Sequence, residues 1–246
     1  MSIETPEELA ALRASGRVVA ETLRAMRRAV RAGVSTGDLD AIAARILRRA
    51  GARSAPQLTY GFPGATCISV NDEAVHGIPG SRRLREGDLV KLDVSAELDG
   101  FYADACVSVS VGRARPATNR LAAAARHALA QALAAARAGA PQSVIGATIE
   151  REAGARGYAV CGQLMGHGIG RGLHEAPDVP SVYDPSLTQS LTDGLVLTIE
   201  PIVSAGSGAV CQGRDGWTVR TADGALSAHE EHTIVITPDA PLILTA

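Results

Sequence analysis

Asp93, Asp104, His167, Glu200 and Glu231 are five side chains able to ligate a metal, in the order D, D, H, E, E, within a chain that has only six histidines. Four carboxylates and one imidazole form a hard, oxygen-rich donor set, better suited to a pair of divalent ions than to one structural zinc. Asp93 closes the apolar run Gly87-Asp88-Leu89-Val90-Lys91-Leu92-Asp93, and Glu200 closes Gly194-Leu195-Val196-Leu197-Thr198-Ile199-Glu200. Alternation along an extended chain puts Leu89, Lys91 and Asp93 on one face, and likewise Val196, Thr198 and Glu200, so each acid is expected to leave a strand toward a common side. Asp104 and Glu231 each open a further β-rich stretch, one through Val111 and the other through Thr237. This is a weak internal repeat at long period, and two packed halves of that kind would bring four carboxylates together. Left alone in one pocket they would repel or hold protons, and cations are the economical remedy.

The segment Gly166-His167-Gly168-Ile169-Gly170-Arg171-Gly172-Leu173-His174-Glu175 places four glycines around two histidines. Glycine has little core-forming capacity, but it lets a backbone turn tightly and approach a ligand closely. The Gly-Lys-Ser/Thr ending of a phosphate loop is missing, and the spacing fits neither the Rossmann fingerprint nor the His-Glu-x-x-His zinc motif. His127 lies in an alanine-rich helical stretch and reads as a surface or packing residue.

Five ordered motifs, spanning nearly the whole chain, resemble the type I methionine aminopeptidases among the creatinase-like "pita-bread" metallopeptidases. They are Ser69 through Pro79, Asp93 to Asp104, Gly166 to Glu175, Thr198 through Pro201, and Trp217 through Glu231-His232-Thr233. The resemblance implies an α/β (α+β) fold of two pseudo-symmetric halves, with a central curved, mainly antiparallel sheet covered by helices. It also implies two divalent ions, cobalt, manganese, iron or zinc. Asp104 and Glu231 would bridge them, Asp93 would chelate one, and His167 and Glu200 would complete the other. Glu200 would act as general base on a metal-bridging water or hydroxide, with His76 and His174 contacting the scissile amide. The implied reaction is release of an N-terminal methionine ahead of a small second residue, from peptides and nascent proteins. Phe62, Cys67 and Trp217 match positions lining the apolar side-chain pocket, where a thioether gains from aromatic contact. The segment Leu58 to Pro63 is one residue shorter than usual in that family, which leaves open whether Tyr60 reaches the pocket. Leu173 stands where many relatives carry Phe, so a dinuclear aminopeptidase of other specificity, such as a proline-directed one, stays in view. A non-catalytic binding protein of the same fold would be expected to lose metal ligands, and all five are present.

The elements that must position these residues read as alternating helices and strands. Thr5 and Glu8 form a capping-box pattern with Pro6 at the first helical position, and Leu9, Leu12, Val19, Leu23, Met26 and Val30 follow helical spacing up to Gly33. A second helix is expected over 38–50, stopped by Gly51, with Leu39, Ile42 and Ile46 inward. A third is expected over 119–138 and a fourth after Ser143. Loops are expected over 112–116, 178–193 and 206–216.

At 246 residues, 46% hydrophobic and 20% charged, the composition excludes disorder and fits one catalytic domain over 1–246. A net charge of −2 provides no general field for nucleic acid. Cys67, Cys106, Cys161 and Cys211 form no paired motif and read as free thiols of a reducing compartment. The acidic start has no apolar signal segment, and the polar residues within the alanine-rich tract argue against a membrane span. These features lead us to expect a cytoplasmic monomer. The implied role allows transient contact with the ribosome, although no basic tail supports it.

Overall fold

Asp99 and Gly100 both take positive φ, 50° and 85°, as a two-residue type I′ hairpin turn requires and as Asp-Gly favours. They join the strands Leu89–Leu98 and Phe101–Ser110 in an antiparallel hairpin whose register sets Asp93 opposite Cys106 and Ser95 opposite Asp104. The structure, a computed structural model, describes residues 1–113 and 115–246. Ala114, in the loop expected over 112–116, lies outside the described residues. The hairpin corrects two expectations. Asp93 does not end a strand and Asp104 does not begin one, because both strands run on to the turn.

Five helices are present among the described residues: α1 (Pro6–Ala29), α2 (Thr36–Arg49), α3 (Ala55–Tyr60), α4 (Pro116–Ala135) and α5 (Ser143–Gly154). Thr5 caps α1 by accepting from the Glu8 amide, but the Glu8 carboxylate turns to the Glu4 amide, so only half of the expected capping box forms. The full box belongs to α2, where Ser35 and Asp38 satisfy each other's amides and start the helix two residues earlier than expected. The face that α2 buries is Leu39, Ala43 and Leu47, while Ile42 and Ile46 are half-buried. The third helix expected is α4, shifted to 116–135. The short α3 was not foreseen; Ser54 caps it, Pro56 opens it and Gly61, at φ 69°, ends it.

All strand pairs are antiparallel. Hydrogen bonding divides the expected central sheet into two larger and two smaller ones. The first large sheet holds the hairpin together with Arg53–Ser54 and Cys67–Val70. The second holds Leu242–Ile243, His232–Val235, Val196–Ile199, Met165–Gly168 and Glu175–Pro180 in that order. One of the three-stranded sheets includes Ser227–His229 and Ile202–Ser204; the other includes Val210–Gln212 and Glu73–Val75. The strands Glu175–Pro180 and Val210–Gln212 shorten two of the expected loops.

Alternation then sorts chemistry from packing. Leu92 and Val94 face α1 and α2, where they bury with Val19, Leu23, Met26, Leu39 and Leu47; a side chain so buried contributes about 1.5–3 kcal/mol. Asp93 and Ser95 consequently point to the opposite face. Leu197, Ile199 and Ile234 pack with Leu129, Leu133, Ile145 and Ile149 of α4 and α5.

The two halves are joined by a seam of hydrogen bonds. The Asp104 amide donates to Thr233 Oγ1 (2.8 Å), and that hydroxyl donates back to the Asp104 carbonyl (2.7 Å). The Glu231 amide donates to the Cys106 carbonyl (2.9 Å). Lys91, the only lysine, is buried below the seam, its ammonium donating to the carbonyls of Asn71 (2.7 Å) and Ser227 (3.2 Å).

Candidate active site

Hairpin and seam together deliver side chains from both halves into one cavity of about 290 Å³. Every residue singled out from the sequence as a site residue lines it: Phe62, Cys67, His76, Asp93, Asp104, His167, His174, Glu200, Trp217 and Glu231. Tyr60, whose reach was open, also lines it, as does Leu173.

Asp104, His167 and Glu231 each offer a ligand atom within 4.8 Å of the others. Glu200 Oε2 lies 3.6 Å from His167 Nε2. The two are oriented by one threonine: the His167 amide donates to Thr198 Oγ1 (3.0 Å), and that hydroxyl donates to Glu200 Oε2 (2.9 Å). His167 Nδ1 sits 2.9 Å from the Gly168 carbonyl, which can only accept. The ring proton therefore belongs on Nδ1, leaving the Nε2 lone pair for a cation. The glycines around His167 serve close packing, since a Cβ at Gly168 would overlap the Ala176 carbonyl and one at Gly166 would press on that of Thr198.

Burial penalises every charge in this cluster. It raises Asp104 to about 6 and Glu200 to about 8, and it pushes Asp93 and Glu231 well above the usual carboxylate range, with the neighbouring carboxylates adding to the effect. Burial lowers His167 to about 4 and also lowers His76 and His174. Among the described residues, five buried side-chain atoms lack a hydrogen-bond partner. Four of them lie in this cavity: Asp104 Oδ1, Glu231 Oε1 and both ring nitrogens of His229. Buried carboxylates with orphaned oxygens beside a neutral imidazole are the environment that divalent cations satisfy, so the residues fit such ions.

His76 and His174 flank the cluster. His76 has positive φ, 57°, an uncommon backbone state that aims its ring from the end of Glu73–Val75. His174 stacks at a tilt against His167, ring centroids 4.0 Å apart, and its Nδ1 lies 2.5 Å from the Tyr60 hydroxyl. Phe62 meets Trp217 edge to face at 5.2 Å, forming with Cys67 an apolar wall on one side of the carboxylates.

One ionisable residue of the cavity is not singled out by the sequence reading. His229 is 2% exposed, and burial holds its imidazole down to about 3. A signal was available, since His229 lies two residues before Glu231, the spacing that places two side chains on one face of an extended chain.

The sequence profile described as Metallopeptidase family M24 matches residues 10–238. The chain is 44% identical to methionine aminopeptidase 2 of Bacillus subtilis, covering 100% of this chain and 99% of that one. It is 40% identical to a methionine aminopeptidase of Staphylococcus epidermidis, covering 100% and 98%. The crystal structure of methionine aminopeptidase from Thermotoga maritima superposes with a TM-score of 0.96 at 36% identity, covering 100% of this chain and 99% of that one. Prolidase from Pyrococcus furiosus, at 20% identity and a TM-score of 0.79, shares the fold over 99% of this chain and 65% of its own. The expected pita-bread architecture is thus borne out, and the chain belongs to metallopeptidase family M24.

Proposed function

We propose that the chain is a methionine aminopeptidase, cleaving methionine from peptide and nascent-protein N-termini ahead of a small second residue. The observation that carries this reading is the single cavity in which carboxylates, four histidines and an apolar wall converge. Full-length similarity to methionine aminopeptidases supports it.

In this reading Asp93, Asp104, His167, Glu200 and Glu231 hold two divalent ions, drawn from cobalt, manganese, iron or zinc. Bound there, such ions supply Lewis-acid polarisation of the scissile carbonyl and bring the pKa of water from about 15.7 toward 7. The chain's own residues do the rest. The substrate's free α-amino group, which an internal peptide bond lacks, lies at the carboxylate end of the cavity. The methionine side chain lies against Phe62, Cys67 and Trp217, gaining sulfur–aromatic contact. Glu200, its Oε2 held by Thr198 Oγ1 and 3.6 Å from His167 Nε2, takes the proton of the attacking water. His174 and His76 donate to the carbonyl oxygen and amide of the scissile bond as charge develops there. A recessed cavity of this kind favours a small second side chain.

Residues 1–246 act in this reading as one catalytic domain, monomeric and cytoplasmic, meeting the ribosome only transiently. No described helix is long and apolar enough to cross a membrane. The test is product analysis of metal-reconstituted protein with Met-Ala-Ser, Leu-Ala-Ser and Ala-Pro-Ser, beside a chelated control. Chelator-sensitive release of methionine alone is expected. Release from Ala-Pro-Ser or Leu-Ala-Ser instead would overturn the specificity, and no release with any metal would overturn the enzymatic reading.

A further inference from the structure

His229 is the most conspicuous unspent group in the molecule. Its backbone is pinned: Ser108 Oγ donates to its carbonyl (2.8 Å), and its amide donates to the same hydroxyl (2.9 Å). Its ring is 2% exposed, lines the cavity and has neither nitrogen hydrogen-bonded. A neutral imidazole carries one N–H, and leaving that donor unpaired in a protein interior is expensive. Glu231 Oε2 lies 3.8 Å from His229 Nε2. The other oxygen of Glu231, Oε1, is itself orphaned.

We propose that His229 is a positioning residue for Glu231, its Nε2–H serving as the donor for Oε2 and so fixing the carboxylate's orientation within the cluster. The inference rests on the metal-holding role proposed for Glu231. A movement of about 1 Å closes the gap between Nε2 and Oε2 to hydrogen-bonding distance. With the proton on Nε2, the atom left unsatisfied is Nδ1, an acceptor.

The experiment compares His229→Leu, which fills the space without a donor, with His229→Gln, which keeps an N–H. Metal-free proteins are titrated calorimetrically with cobalt(II), and kcat and KM are measured on Met-Ala-Ser. In the leucine variant cobalt affinity is expected to fall about 10- to 100-fold, the usual loss when a partner of a metal ligand is removed. Its kcat falls in parallel with little change in KM, while its thermal midpoint is equal or higher, because two orphaned nitrogens are gone. Glutamine restores affinity and kcat to within about threefold of the parent. A purely space-filling role predicts the reverse ranking, so leucine binding cobalt like the parent, or glutamine as impaired as leucine, would overturn the proposal.

Should His229→Leu not fold, nitrogen-15 NMR of histidine-labelled, zinc-loaded parent decides instead. A pyrrole-type Nε2 at His229 supports the assignment, and a pyridine-type Nε2 defeats it. The proposed function can fail separately: a parent that binds cobalt but releases no methionine ends that reading, while the cobalt affinities still decide His229.

Discussion

Two histidines with ring centroids 4.0 Å apart take different tautomers because different partners hold them. The Gly168 carbonyl fixes His167 with its proton on Nδ1, whereas the phenol of Tyr60 meets Nδ1 of His174. The Tyr60 hydroxyl has no other hydrogen-bond partner among the described residues, and burial raises its pKa, so it remains protonated and donates. His174 is thereby left with Nε2–H, the donor that a developing oxyanion needs. Tyr60→Phe removes only the hydroxyl. Its kcat/KM on Met-Ala-Ser is expected to fall about tenfold, less than the roughly 10²–10³ lost when a donor itself is deleted. Unchanged steady-state kinetics would show that Tyr60 does not orient His174. The five acids and histidines of the cluster were legible in the sequence because residue type and local spacing declared them. Tyr60 and His229 were not, since their meaning lies in partners distant along the chain or on the same face of a strand.

At the scale of elements, the site depends on the seam between Phe101–Ser110 and the segment leading into His232–Val235. Thr233 bridges the amide and carbonyl of Asp104 with one hydroxyl. Thr233→Val keeps the shape and deletes both bonds. It is expected to destabilise the fold by about 1–3 kcal/mol in denaturant titrations, since it strands buried backbone groups, and to lower kcat through Asp104. An unaltered unfolding midpoint would show that the seam is not held there. The start of α1, capped by Thr5, and that of α5 at Ser143 are legible in the sequence to within a few residues. The six-residue α3 was too short to carry periodicity, and α2 was displaced because its capping box at Ser35 and Asp38 went unread. Asp93 and Asp104 lie inside their strands and not at strand ends because the Asp99-Gly100 dipeptide, a strong hairpin signal, carries both strands past them.

For the whole molecule, the cavity between the halves is a store of suppressed charge. Its carboxylates hold protons that a divalent cation must displace, so metal binding is coupled to pH. The sign follows from Glu200, raised to about 8, with Asp93 and Glu231 also held protonated above their usual range. Fewer protons must leave as pH rises. Cobalt affinity is therefore expected to climb from pH 6.5 to pH 8, with proton release on binding detected calorimetrically in buffers of different ionisation enthalpy. Affinity that is flat or falling over that range would mean the cluster is already ionised in the metal-free fold.

The central claim is that this charge store, loaded with cations, hydrolyses N-terminal methionine. The most direct measurement follows methionine release from Met-Ala-Ser as chelated protein is titrated with cobalt(II), metal content being determined on the same samples, for the parent and for Asp104→Asn. The account predicts no release from the chelated parent, recovery that saturates by two bound equivalents, and loss of both metal and turnover in the variant. Release that survives chelation, or an Asp104→Asn protein that binds metal and turns over like the parent, would contradict it.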